Sequence, residues 1–344
     1  MMRRLGATLF VTTTPAWLRR EGEAVVVESE GKTLLKTPVH VLDAVVCLGP
    51  AGMTPQLMAY CAERGVSVTF LAQSGRFLAR VVGPTSGSVL LRRAQHQAAD
   101  DTARRAELAR PMVAAKILNC REVLMRAARD RPEAAGVEQL ARAAARLREL
   151  ALSLDHNPSL ERLRGLEGEA AHVYFSVFDH LVTGDKEAFY FQGRSRRPPM
   201  DNLNSMLSFL YTLLAHDLRS ALETVGLDPQ IGFLHADRPG RPSLALDLME
   251  EMRPALADRL ALNLINRRQI TAEGFRTRET GAVVMEDETR REVLAAWQRR
   301  KQEESVHPFF KERMPLGLLP HAQAMLLARA LRGDIDGYAP WIRG

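Results

Sequence analysis

The apolar positions of this chain change their period once. Up to about residue 82 they come in short runs rich in Val, Leu, Thr and Phe, at residues 5–11, Ala24–Ser29, 33–37, 44–48, Ser67–Leu71 and 77–82. Runs of this length, separated by Gly22, Gly31, Gly49, Gly65 and Gly75, predict strands joined by turns, since glycine takes up positive φ without a steric penalty. One helix is expected among them. Thr54 suits its cap, Pro55 its first position, and residues 56–64 follow before Gly65 ends it.

Residues 83–88 are small and polar, and beyond them the pattern becomes helical. Ala, Arg, Leu and Glu dominate 90–129 and 137–154, with apolar residues every three or four positions, and Asp130, Arg131, Pro132 and Glu133 separate the two stretches. The expected fold is therefore α+β with two domains: a small β-rich domain over 1–84 and a larger all-α domain over 85–344, save for a short ribbon around 281–285. A chain of 344 residues also exceeds what one hydrophobic core usually spans.

Composition narrows the function classes. With 46% hydrophobic and 26% charged residues the chain has the balance of a globular protein. It lacks any apolar run near the ~20 residues that span a bilayer, and Thr12, Thr13, Thr14 and Pro15 end the opening apolar stretch too early for a signal peptide. Cys47, Cys61 and Cys120 are scattered, so neither a zinc ribbon nor a disulfide framework is expected, and a reducing cytoplasm fits. The net charge is +6, carried mostly by Arg, whose planar fork of donors suits phosphate.

Three segments place acids or imidazole where packing residues are expected. In GLEGEAAHVYF, Glu167 shares a helix face with Ala170, Ala171 and Tyr174, and Gly168 implies a close approach to the helix backbone. In GFLH, His235 ends an apolar run. In SLALDLMEEMRP, Ser243 suits a cap, while Asp247 and Glu250 stand on one face, an arrangement expected to be either exposed or metal-bound because like charges repel. Glu167, His235 and Glu250 together offer two hard oxygens and an imidazole, a set suited to Mn²⁺ or Mg²⁺. An irregular loop with Arg194, Arg196, Arg197, Pro198 and Pro199 would supply phosphate contacts. Two other readings compete. One is a di-iron carboxylate oxidase using the Glu-x-x-His pairs Glu169/His172 and Glu304/His307; the other is a DNA-binding protein without catalysis.

The strings GLEGEAAHVYF, GRSRRPPMDNLNSMLSFLYTLL and GFLHADRPGRPSLALDLMEEMRP closely resemble the CRISPR adaptation endonuclease and integrase, the Cas-one family, and RPGRPSLALDLMEE is similar to its type I-C branch. The resemblance implies metal ligands at Glu167, His235 and Glu250, with Asp247 in a supporting role near the ion. Relatives often carry Asp where Glu250 stands, which leaves Glu250 or Glu251 as the third ligand; Glu250 is preferred because it shares a face with Asp247. Arg194, Arg196, Arg197, Arg241 and Arg253 are the expected DNA contacts. Asn202 and Asn204 are expected to cap the following helix. The resemblance further implies a homodimer that joins a small Cas-two partner, captures double-stranded DNA, and inserts it at a CRISPR repeat by 3′-hydroxyl attack on a phosphodiester.

Overall fold

The computed structural model describes residues 7–73, 76–83, 89–154 and 158–343. Leu5, Gly75 and most of the expected domain boundary, residues 84–88, lie outside the described residues. The chain forms two compact units, one of Met1–Ser86 with Asp287–Lys301, the other of Gly87–Glu286 with Gln302–Gly344. The first unit is thus discontinuous in sequence, which a division into two unbroken spans does not capture.

The amino-terminal unit contains β1 (Ala7–Val11), β2 (Ala16–Glu21), β3 (Ala24–Ser29), β4 (Lys32–Pro38), β5 (Leu42–Leu48), β6 (Ala51–Met53), α1 (Pro55–Glu63), β7 (Ser67–Leu71) and β8 (Phe77–Val81). Two four-stranded sheets result, ordered β1-β5-β7-β8 and β4-β3-β2-β6. In the first sheet β1, β5 and β7 are parallel, with β8 antiparallel at its edge. Leu18, Val25, Val27, Val45, Leu57 and Val68 share one core. As expected, Thr54 Oγ1 accepts a hydrogen bond from Leu57 N at the start of α1.

The sequence reading missed β2 and β6. In β2 only Ala16 and Leu18 point inward, and Arg19, Arg20 and Glu21 break the apolar run. Its outer face is held by cross-strand pairing instead, with Arg19 Nε 2.8 Å from Glu28 Oε1. β6 is too short to show a period. It needs glycine at position 52, because a Cβ there would lie 2.1 Å from the Trp17 ring.

The larger unit is helical: α2 (Val89–Asp100), α3 (Thr102–Asp130), α4 (Val137–Leu152), α5 (Leu160–Ser176), α6 (Asn202–Val225), α7 (Ser243–Arg253) and α8 (Arg259–Asn266). The stretch expected as one helix over 90–129 breaks where Asp101 caps α3, its carboxylate accepting from Ala103 N and Arg104 N at 2.8 and 3.1 Å. The expected ribbon is present as β9 (Phe275–Thr277) against β10 (Val283–Met285). After α9 (Asp287–Gln302) comes a second ribbon, β11 (Glu304–Val306) against β12 (Arg313–Pro315), and then α10 (Leu319–Arg332). The second ribbon, with strands of three residues, was not expected from the sequence.

Helix α3 packs against α4, α5 and α7. Between α7 and α8 the chain does not stop at Pro254 but passes through a π-helical turn, Pro254–Asp258. Cys47, Cys61 and Cys120 are buried and unpaired. Among the described residues, no helix is long and apolar enough to cross a membrane.

Candidate active site

Three helices bring the acids together. Helix α5 starts at Ser159, whose hydroxyl accepts from Arg162 N at 3.2 Å, and it buries Ala170 and Tyr174 while leaving Glu167 at the margin of that face. Glu250 projects from α7 and is 3% exposed. Both carboxylates meet one cation, Lys116 of α3, whose ammonium contacts Glu167 Oε1 and lies 2.7 Å from Glu250 Oε2. Arg253 Nη2 is 3.1 Å from the other oxygen of Glu250. Burial alone would favour the neutral acid at Glu250, but Arg253, Lys116 and His235 outweigh it and hold the carboxyl below its ordinary range.

His235 is placed by its own loop. Asp247, fully buried in α7, accepts from the backbone N–H groups of Phe233, Leu234 and His235 at 2.6, 3.0 and 3.0 Å, and its Oδ1 is 2.6 Å from His235 Nδ1. With Nδ1 donating to Asp247, the ring lone pair sits on Nε2. Gly232 makes this approach feasible, since a Cβ there would lie 2.8 Å from Asp247 Oδ2 and 2.7 Å from Ser243 Cβ. Two arginines brace the loop from outside: Arg164 Nε donates to Leu234 O at 2.8 Å and Arg105 Nε to Phe233 O at 3.2 Å.

Several expectations change here. Asp247 and Glu250 are buried rather than exposed, each against separate partners, which relieves their repulsion. Ser243 does not cap α7; its hydroxyl donates to Ala236 O at 3.2 Å. Among the described residues, nothing outside the helix's own backbone approaches within 4 Å of a Cβ built on Gly168. Glu251, the competing third acid, faces away from Lys116. Its oxygens accept from Tyr338 OH, from Gln323 Nε2 at 3.2 and 3.3 Å, and from Trp341 N at 2.8 Å.

The basic residues divide as well. Arg196 and Arg197 are exposed and Arg241 is half-buried. Arg194 and Arg253 turn inward, over the Tyr211 ring at 5.0 and 4.6 Å from its centroid, and Arg194 also donates to Asn204 Oδ1. Both guanidiniums are thus committed to contacts inside the helical unit. The cap of α6 is Asp201, which accepts from Asn204 N at 2.7 Å. Asn202 and Asn204 instead staple the preceding loop, donating to Ala188 O at 2.8 Å and Gly193 O at 2.7 Å.

Two features escaped the sequence reading. Lys116 sits in PMVAAKILNC, and a lone cation within so apolar a helical stretch was the available signal. Asp258, on the π-helical turn, accepts from Tyr211 OH at 2.6 Å and Tyr174 OH at 3.2 Å, and burial pushes its carboxyl up to about 6. Lys116, Tyr174, Glu250, Arg253 and Asp258 line one small internal space.

The di-iron arrangement fails on geometry. Glu169 is exposed and pairs with Arg146 at 2.5 Å, and Glu304 lies exposed on β11 rather than on a helix. His307 spends both ring nitrogens, Nε2 on Gln323 Oε1 at 2.8 Å and Nδ1 on Phe309 N at 3.2 Å.

Fold and centre define a class: a protein with a β-rich unit and a helical unit, the latter holding two carboxylates on a buried lysine and, on the loop before α7, an imidazole oriented by a buried aspartate. The family model described as CRISPR associated protein Cas1 matches residues 9–299, and the chain belongs to that family. It is 52% identical over 335 residues to CRISPR-associated endonuclease Cas1 1 of Chlorobaculum tepidum, covering 97% of this chain and 98% of that one. A solved Cas1 protein from Thermotoga maritima has the same fold, with a TM-score of 0.81 at 23% identity over 98% of this chain and 99% of that one. A chain of a Cas6-RT-Cas1–Cas2 complex matches with a TM-score of 0.82 at 25% identity, covering 100% of this chain and 37% of that one.

Proposed function

We propose that the chain is a metal-dependent DNA endonuclease and integrase that inserts short duplexes into CRISPR arrays, with Glu167, His235 and Glu250 as ligands of Mn²⁺ or Mg²⁺. The observation that carries this reading is the meeting of Glu167 and Glu250, from two helices, on a single cation position. The residues fit such an ion. Glu250 Oε2 is buried against the Lys116 ammonium at 2.7 Å, a place already suited to a cation, and Asp247 fixes His235 so that Nε2 is the ring atom left for coordination. When bound, the ion would polarise a phosphoryl oxygen and stabilise the charge that grows on attack.

The chain's own residues do the rest. Asp247 holds the imidazole in one tautomer and one orientation through four contacts. Arg253 keeps Glu250 ionised, and its stacking on Tyr211 fixes it in place. Exposed Arg196 and Arg197 engage the DNA backbone, which positions the scissile phosphodiester for in-line attack by a 3′-hydroxyl, or by water when the enzyme acts as a nuclease. Asp247 supports rather than binds the ion. The partners are double-stranded DNA, a second copy of the chain in a homodimer, and a small Cas2-type protein; the likeness to a chain of a Cas1–Cas2 complex supports the last. The reaction is placed in the cytoplasm. The RPGRPSLALDLMEE string supports a type I-C system.

The test is turnover of a branched, half-integrated DNA with Mn²⁺. His235→Ala, Glu167→Gln and Glu250→Gln should each lose on the order of a thousandfold or more, with DNA affinity retained. Wild-type turnover in all three folded variants would leave only a DNA-binding role.

A further inference from the structure

The reading above gives Lys116 no role, yet the two carboxylates meet on this side chain. It is 4% exposed, and an ammonium is stable at that depth only with anions against it. Its partners are the two acids assigned to the metal, Glu167 and Glu250. The two oxygens of Glu250 are held differently. Oε1 faces Arg253, which Tyr211 fixes from behind. Oε2 faces the Lys116 ammonium at 2.7 Å. Oε2 is therefore the atom whose partner can be exchanged, and Lys116, a point charge on a flexible four-carbon stem, is the partner able to leave.

We propose that Lys116 is a resident counter-ion of the acid pair, occupying the place between Glu167 and Glu250 that a divalent ion takes and leaving both carboxylates when the ion enters. The proposal rests on the metal reading of this site. Among the described residues no three of His, Cys, Asp and Glu converge closely enough to enclose an ion; Lys116 is the group that joins two of them. Without an ion, Lys116 ties α5 to α7 through α3 and, beside Arg253, compensates the two acids. With an ion, the same charge is a competitor, since a monovalent and a divalent cation a few ångströms apart repel strongly in a poorly solvated site. Lys116 therefore weakens metal binding to the DNA-free protein while stabilising the metal-free fold.

Mn²⁺ binding to the full-length protein without DNA, measured by calorimetry, tests this in Lys116→Met and Lys116→Gln, beside wild type and His235→Ala. Both Lys116 variants should bind Mn²⁺ about tenfold tighter or more. They should melt below wild type without metal, and Mn²⁺ should raise their midpoints more than it raises that of wild type. Equal or weaker Mn²⁺ affinity in the folded variants overturns the proposal. So does failure of both variants to fold even with Mn²⁺, because the ion should replace the missing charge. If His235→Ala binds Mn²⁺ as wild type does, the metal reading itself is wrong, an outcome separate from either of these.

Discussion

The two faces of α7 bury neighbouring acids and treat them in opposite ways. Burial works against charge at both. On the front, Arg253 and Lys116 outweigh it and Glu250 stays an anion. On the back, Glu251 meets only neutral donors, Tyr338 OH, Gln323 Nε2 and Trp341 N, and its carboxyl is pushed up to about 7. At Glu250 the cations outweigh burial; at Glu251 the neutral donors favour the anion too, but less than burial opposes it. The front therefore keeps an anion available for chemistry, whereas the back is a hydrogen-bond hub that pins residues 338–343 against α3 and α7, with Asn119 bridging Glu251 O, Trp341 O and Arg343 N.

The sharpest way to break this contrast is Glu251→Ala. Removing the hub leaves several buried donors unmatched, and stability should fall by about 3–5 kcal/mol in urea denaturation, while the folded protein keeps its Mn²⁺ affinity. If that affinity dropped as far as in Glu250→Gln, the two faces would not be functionally distinct.

Asp258 carries the comparison into the π-helical turn. Its carboxyl rises from 3.8 to about 6, chiefly through burial, so the unfolded chain releases this proton at lower pH than the folded one. The stability it contributes is complete below about pH 4, declines as pH rises to about 6, and is flat above that. Relative to Asp258→Asn, wild type should therefore lose about 3 kcal/mol across that interval, read by denaturation at several pH values. A constant difference between the two proteins would mean that Asp258 ionises normally.

On the front, Asp247→Asn should weaken Mn²⁺ binding by roughly ten- to a hundredfold, because His235 loses the partner that sets its tautomer. Unchanged affinity would show that the imidazole does not need this anchor. The smallest effect is expected at the rim, where Arg196→Ala with Arg197→Ala should flatten the salt dependence of DNA binding by about one to two units. An unaltered slope would exclude this loop from the phosphate contacts.

Much of this architecture was legible before folding. Alternating and glycine-bounded runs marked β3, β7 and α1, and the change of period after residue 82 marked the helical part. β2 was hidden because its outer face is polar, and β6, β11 and β12 because three residues hold no period. Within the site, Glu167, His235 and Glu250 were identified as candidates, but Lys116 was not, and the inward turn of Arg194 and Arg253, both expected DNA contacts, was not foreseen.

By itself the sequence determined which backbone each stretch prefers and which residue types are available for chemistry, since both follow from local periodicity and side-chain identity. Tertiary structure alone decided that Glu250 faces a lysine while Glu251 faces a tyrosine, that Asp247 serves His235, and that two arginines are spent inside. Those choices join residues that are 51 or 87 positions apart, as in the Lys116–Glu167 and Glu251–Tyr338 contacts. No local pattern reports them, because the packing of one helix on another, rather than the helix period, selects which buried charge meets which partner.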